Sequence, residues 1–423
     1  MPKTRVLISG ASVAGPALAY WLVRAGCEVT LVERAPTLRT SGQGIDIRDT
    51  ARDVIKEMGI FERIRDKSSH EEGTKFVDGN NKVLASFGVD LESGKGDSLT
   101  SDIEILRGEL AGILYDVTKN DVEYVFGDMV ESMEETDTEI RVTFANGTPK
   151  TSFDLVVAAD GIGSKIRTLA FGNDAVNVRS LNSYVSYFSI PISDTDSRWS
   201  RAHWVPGGRA MVVRPDNVGR TRAFLTVTAY DGSDARLPQF AKAVKEGIQA
   251  QKALVQQMFQ DADWEVARLL KGMHESNDFY LQHIAQVRLS RWSNRRVALV
   301  GDAAYAPSPF TGMGTSLAFI GAYVLAGEIS RQPSNISAAL ESYEQVMRPY
   351  VESVQTLPPG IPWVVNPQSA LGVKILNTGF WFAGLLSKSG ILGVLGKIAA
   401  YNPFGGDYPF KLPKYEAFSR RSS

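Results

Sequence analysis

A strand–loop–helix–strand pattern at the N-terminus constrains this chain more than any other feature. Val6-Leu7-Ile8 reads as a short buried strand, Ala14 to Ala25 as an apolar helix, and Val29 to Val32 as a second strand ending at Glu33. Strands joined in this way run parallel, and a parallel sheet needs helices over its faces. The loop Gly10-Ala11-Ser12-Val13-Ala14-Gly15 falls where a helix offers unpaired N–H groups and the positive end of its dipole, the setting that binds phosphate. Gly10 permits the tight turn, and Gly15 lets the helix pack against the strand. Ser12 occupies the usual middle glycine of such loops, so the pattern alone is weak. Glu33 restores it, because it closes the second strand 23 positions after Gly10, where a carboxylate accepts both hydroxyls of an adenosine ribose. The same letters resemble a hydrolase nucleophile elbow. An elbow follows several strands, however, whereas Ser12 follows the first and Glu33 already has a role.

Two further strand ends carry motifs of the same kind. Asp154 to Ala159 is too apolar for a half-exposed strand and delivers Asp160-Gly161-Ile162-Gly163 at its carboxyl end, where ligands sit in such sheets. Val297–Val300 delivers Gly301-Asp302, followed by Pro309-Phe310-Thr311-Gly312-Met313-Gly314 at the start of a long helix. Between these motifs, from about Val176 to Arg288, aromatic-rich strand patterns and amphipathic helices take over. The expected organisation is therefore α/β: a discontinuous Rossmann-like dinucleotide-binding domain (residues 1–175 and 289–355), an inserted mixed β-sheet substrate domain (176–288) and a C-terminal helical segment (356–423) bridging the domains. Additional strands are expected near Thr74–Phe87, Val122–Phe126 and Ile140–Phe144.

Composition excludes several classes. Lys+Arg (46) and Asp+Glu (47) nearly cancel, so nothing points to nucleic acid. The one cysteine, Cys27, and four scattered histidines exclude an internal disulfide and make a metal centre unlikely on composition. The apolar tail from Leu371 to Ala400 is interrupted by Lys374, Lys388 and Lys397, and no uninterrupted run reaches the ~20 residues of a membrane span. Packed helices are the plain reading of that tail, and a membrane-surface contact the other. No cleavable signal is evident, so a cytoplasmic location is expected, in a monomer or weak dimer.

Taken together, in this order and spacing, the three motifs resemble those of the class A, aromatic-hydroxylase family of flavoprotein monooxygenases, whose prototype is para-hydroxybenzoate hydroxylase. Within it the chain is most similar to tetracycline-inactivating monooxygenases and related secondary-metabolite hydroxylases, over roughly residues 4–355. The resemblance implies that FAD is the dinucleotide. Gly10, Ser12, Ala14, Gly15, Glu33 and Arg34 would hold its ADP half. Arg107 would lie along the cofactor, and Asp160 would serve both FAD and NADPH. Asp302 would bind the ribityl chain, and Pro309, Gly312, Met313 and Gly314 would flank the isoalloxazine. Gly44, Asp46 and Arg48 match the loop that reaches the flavin. Two positions depart from the family: Tyr305 stands where many relatives have histidine, and Ser308 replaces the first proline of a Pro-Pro pair. Both imply a different hydrogen-bonding pattern beside the flavin.

The sequence contains no second dinucleotide fingerprint, which favours NADPH or NADH as a transient visitor that reduces FAD and leaves. The implied chemistry is a flavin C4a-hydroperoxide transferring oxygen from O2 to a small aromatic or polyketide-like substrate, with no side-chain nucleophile and no certain catalytic residue. The alternatives are an FAD-dependent dehydrogenase, reductase or oxidase on the same fold, and a non-catalytic flavin-binding protein. Candidate substrate-lining residues are Tyr184, Tyr187, His203, Trp204, Met211, Arg214 and Phe319, although aromatics at strand spacing more often build core. Arg214 reads either as a partner for an enolate or carboxylate substrate or as a solvated strand-end arginine. His203 reads as a proton relay or as a satisfied structural histidine.

Overall fold

The computed structural model describes residues 3–39, 42–88, 103–172, 177–388 and 410–419. Its first strand, β1 (Arg5–Ser9), leads through the glycine loop into α1 (Ala14–Arg24) and on to β2 (Glu28–Glu33). β1 lies centrally and parallel, between β2 on one side and the strand Leu155–Ala158 on the other. Val297–Leu299 pairs parallel with Leu155–Ala158, Val156 opposite Val297, so the sheet is completed from far downstream in the chain. Leu7, Ile8, Val156, Val157, Ala298 and Leu299 have no exposure. Such strands are apolar throughout because helices cover both of their faces. Trp21 of α1 meets Tyr323 of the long helix Gly314–Arg331 edge-on, with ring centroids 4.9 Å apart.

The second sheet has seven strands, ordered Tyr280–Arg288, Asn177–Pro191, Arg220–Thr228, Arg209–Pro215, Trp199–Val205, Gly73–Val77 and Val83–Gly88. The last two come from outside 176–288: Gly73–Val77 pairs parallel with Trp199–Val205, and the hairpin partner Val83–Gly88 forms the edge. One face of this sheet lies under the helices Arg236–Glu246, Ile248–Phe259 and Val266–Glu275, packed through Tyr184, Met211, Val213, Leu225 and Phe240. The other face, with Val185 and Tyr187, packs near Phe310 of the first domain.

The C-terminal helix Ala370–Lys388 rests on the edge of the second sheet, where Phe380 stacks on Phe76 with centroids 4.0 Å apart. Its other side presents Leu371, Ile375, Phe382 and Leu385 to solvent. Residues 410–419 instead pack on the first domain, where Phe418 lies 4.6 Å from the ring of Trp21. The C-terminal segment thus touches both domains. The part of the expected helical tail that follows Lys388 lies outside the described residues, apart from 410–419. Among the described residues, no helix is long and apolar enough to cross a membrane.

Candidate functional site: a cleft at the strand ends

Because β1, β2, Leu155–Ala158 and Val297–Leu299 are parallel neighbours, their carboxyl ends open on one edge of the sheet. Gly10 turns with φ +110° and lies so close to the next strand end that a Cβ there would stand 2.5 Å from the Ala159 carbonyl oxygen. A Cβ on Gly15 would stand 1.9 Å from the Gly10 carbonyl oxygen, so both glycines are required by the loop's own packing. α1 starts without a side-chain cap and without an acid in its first turn, which leaves its N-terminal N–H groups for an anion. Ser12 is exposed at the loop's tip and Ala14 is buried. Glu33 accepts hydrogen bonds from the backbone N–H of Ala11 and of Ala35, each 2.9 Å, and so stands across the glycine loop. Arg34 is exposed beside it.

Asp160 accepts the N–H of Lys165 at 3.1 Å, and burial raises its pKa above the usual carboxylate range. Its other oxygen is buried with no hydrogen-bond partner among the described residues. Arg167, only 3% exposed, donates to the carbonyls of Ile162 (2.6 Å) and Ala303 (2.9 Å), which ties the Asp160 loop to the Asp302 turn. Asp302 is open to solvent yet deep enough for burial to raise its pKa, the combination expected on a cleft floor. Arg107, exposed at the start of the helix Arg107–Asp116, acts by its charge on Asp302, Tyr187 and Tyr280 together. Gly314 approaches Asp302, and a Cβ on Gly312 would lie 3.5 Å from Arg48 Nε and 3.7 Å from Asp46 Oδ2. Met313 is buried and Pro309 exposed, on either side of that turn. Gly44, Asp46 and Arg48 lie on and just beyond a strand that pairs with Glu104–Leu106. The structure therefore gathers all three motifs and the Gly44–Arg48 segment around one cleft. Uncapped helix starts, glycines with no room for a Cβ and an open, deep carboxylate suit an elongated dinucleotide such as FAD.

The substrate candidates separate by strand parity, since successive side chains point to opposite faces. Tyr187, Trp204 and Arg214 share the face opposite the helices. Tyr187 stacks on Tyr280 with centroids 4.8 Å apart and meets Phe224 edge-on at 5.0 Å, and the Tyr280 hydroxyl donates to Gln43 beside the flavin-loop candidates. Burial pushes the Tyr187 phenol up to about 12. Tyr184 and Met211 point the other way: Tyr184 stacks on Phe240 at 4.6 Å, and Met211 has no exposure. Phe319 is fully buried on the helix Gly314–Arg331. These three are core residues of this structure, which corrects their place among the substrate candidates. His203 is 3% exposed and held by the Val77 carbonyl (3.0 Å) and the Asp263 carboxylate (2.8 Å), the structural alternative raised for it. A groove of about 830 Å³, with His203, Trp204, Asp263, Lys374, Asn377 and Trp381 in its walls, lies beside the C-terminal helix.

Arg214 matches neither reading proposed for it. Its guanidinium is bound by Glu71 (3.0 Å) and Glu104 (2.6 Å). Both acids went unnoticed in the sequence, although Glu104, enclosed by Ile103 and Ile105, is the kind of acid in an apolar run that asks for a buried partner. Tyr305 is the first of the two departures from the family pattern. It is 1% exposed and its hydroxyl meets that of Tyr343 at 2.9 Å, so it is a packing residue between helices and not a flavin-side donor. Ser308 adopts φ +86° and buries its hydroxyl without a partner among the described residues. Proline is fixed near φ −65°, so this backbone could not hold the family's residue.

Residues 3–356 match the FAD binding domain family. The monooxygenase CTB7 of Cercospora beticola is 35% identical over 97% of this chain and 97% of its own length. An FAD-dependent monooxygenase of Sarocladium schorii, asL4, is 34% identical over 89% of this chain and 91% of its own. The crystal structure of tetracycline destructase Tet(51) superposes with a TM-score of 0.74 at 31% identity, covering 98% of this chain and 100% of that one. The chain belongs to the FAD-binding monooxygenase family that these matches define, and it is an FAD-dependent flavin monooxygenase.

Removal of the Glu33 carboxylate by Glu33→Ala is expected to leave the fold intact and weaken FAD retention. Losing a charge-assisted hydrogen bond of ~1–3 kcal/mol corresponds to ~5- to 150-fold in affinity. Glu33 and Ala35 are half-buried, so water entering the space left by the carboxylate can take over the Ala11 and Ala35 N–H groups. Flavin occupancy measured after dilution and gel filtration checks this; occupancy equal to wild type would contradict it.

Proposed function

We propose that the protein takes electrons from NADPH or NADH and uses O2 to hydroxylate a small aromatic or polyketide-like molecule, a fused-ring compound of the tetracycline type among them. The observation that carries this reading is the aromatic wall of Tyr187, Tyr280 and Phe224, which reaches the flavin loop through the Tyr280–Gln43 hydrogen bond. Such a wall suits a flat ring system. The name of the Tet(51) relative lends support to the substrate class. The missing second fingerprint supports a reductant that visits and leaves.

In this reading the uncapped start of α1, with Gly10, Ser12, Ala14 and Gly15, holds the pyrophosphate of FAD, with Glu33 on the adenosine ribose and Arg34 beside it. Asp302 offers a carboxylate that can accept hydrogen bonds from a hydroxylated chain. Arg107 offers positive charge along the same cleft, Asp160 serves the dinucleotides at the neighbouring strand end, and Gly44–Arg48 with Pro309–Gly314 frame the ring. Bound FAD supplies the electron transfer and oxygen activation. Tyr187 stays protonated at neutral pH and so donates a hydrogen bond; it does not act as a base.

The test is a panel of phenols, polyketides and tetracycline incubated with FAD-loaded protein, NADPH and isotopically labelled O2. A compound that accelerates NADPH-dependent bleaching of the flavin band and gains one labelled oxygen is the expected result. An oxidised product without label, formed from any of them, would instead assign the protein to the dehydrogenases or oxidases of this fold.

A further inference from the structure

Among the described residues, five charged side chains cluster between the second sheet and the flavin segment: Asp46, Glu71 and Glu104 against Arg48 and Arg214. Arg214 projects from the strand Arg209–Pro215 and spends its Nε on Glu71 and a terminal nitrogen on Glu104, whose side chains are 1% and 5% exposed. Glu104 stands opposite Asp46 in the short antiparallel ribbon formed by Gly44–Asp46 and Glu104–Leu106. The Ser69 hydroxyl donates to the same Glu104 oxygen at 3.3 Å. The other Glu104 oxygen lies 2.0 Å from where a Cβ on Gly44 would be, so the carboxylate rests flat on the ribbon's backbone and requires glycine there. Asp46 in turn binds Arg48 at 2.8 Å, and both reach the Gly312 turn. Arg48 is also pinned from the helix side, because its N–H donates to the Ser316 hydroxyl at 2.9 Å.

An arginine that receives an anionic substrate needs a positive surrounding. Here three carboxylates face two guanidinium groups, and Glu71 Oε1 and Asp46 Oδ1 are buried without hydrogen-bond partners among the described residues. The surplus is of acceptors, so an anion at this place would meet like charge.

We propose that Arg214 is a positioning residue for the flavin: by gripping Glu71 and Glu104 it fastens the substrate sheet to the Gly44–Arg48 ribbon and fixes the seat of the isoalloxazine ring. Charge-assisted contacts from two nitrogens of one planar guanidinium suit this task because they set orientation as well as distance. Lysine, a single point charge, cannot hold both carboxylates in the same geometry. The inference rests on the assignment of Gly44–Arg48 and Pro309–Gly314 to the flavin.

The experiment compares wild type with Arg214→Lys, Glu104→Gln and Asp302→Ala, each stripped of FAD and titrated with FAD while flavin fluorescence is followed. The midpoint potential of the reloaded flavin is then measured. For Glu104→Gln, which preserves side-chain shape, FAD affinity is expected to fall about tenfold, with the potential displaced from wild type and the apoprotein still folded by circular dichroism. Arg214→Lys should follow it. A Glu104→Gln protein with FAD affinity within about twofold of wild type and an unmoved potential overturns the proposal, whether or not Arg214→Lys folds. Asp302→Ala keeps the two failures apart: if it too leaves FAD affinity unchanged, the assignment of the cleft to FAD fails, and otherwise only the clamp does.

Discussion

Alanine at Gly15 is expected to abolish FAD retention and to lower the melting temperature by roughly 1–3 °C. The added methyl would sit 1.9 Å from the Gly10 carbonyl oxygen and 3.3 Å from the Ile8 side chain. The first neighbour is backbone, so no rotamer change relieves the clash, and α1 must move off the loop. Overpacking of this kind costs ~1–3 kcal/mol and sometimes more, which for a chain of 423 residues is roughly 1 °C per kcal/mol. The displaced helix start also loses the alignment of its N–H groups with a phosphate, so binding suffers beyond the stability term. Gly163 provides the comparison. It belongs to the second motif, but a Cβ there meets nothing within 4 Å, and Gly163→Ala should melt with the wild type. Differential scanning fluorimetry with flavin release as a second readout checks both. A Gly15→Ala protein that keeps its FAD and its melting temperature would show that the loop relaxes freely.

The contrast between those two glycines marks how far the sequence could be read. Gly10, Gly15 and Glu33 were legible because their constraints are local: a turn, a helix start and a strand end within one βαβ unit. The strand ends at Asp160 and Asp302 were legible for the same reason, and the parallel sheet then brings them together without further information. The second sheet was legible only as a region. Its boundary was not, because Gly73–Val77 joins it by parallel pairing with Trp199–Val205, a contact between segments more than a hundred residues apart that no local pattern announces. The two faces of its strands were equally hidden. Tyr184 and Tyr187 look alike in the chain, yet they stand on opposite faces of one strand, one under Phe240 and the other stacked on Tyr280. Tyr305 was legible only as a departure from the family pattern, because its partner Tyr343 lies 38 residues along the chain, on another helix.

Arg214 was the extreme case, since its partners come from positions 71 and 104, and it supplies the largest expected effect. Arg214→Met is expected to destabilise the protein by about 3–5 kcal/mol near pH 8, because it leaves two carboxylates buried without their cation. The loss should shrink as the pH falls. Burial raises both Glu104 and Glu71, while the same carboxylates outweigh burial and hold Arg214 above its ordinary value. A carboxyl whose folded pKa lies above its unfolded one keeps its proton in the fold after the unfolded chain has lost it. Its contribution is therefore fully present below the unfolded value, near 4.3, and is lost as the pH rises toward the folded one. Without the arginine both folded values rise further, so the variant loses stability more steeply than wild type over the pH range in which the intact fold has already released these protons, by at most ~1.4 kcal/mol per pH unit for each carboxyl. Adding Glu104→Gln to Arg214→Met removes one of the two charges and should recover part of the loss at pH 8 but little at pH 5. Urea unfolding of the two variants and wild type at both pH values checks this. A deficit of equal size at pH 5 and 8, unrelieved by Glu104→Gln, would mean that Arg214 contributes by packing its stem and not by neutralising the acids beside the Gly44–Asp46 strand.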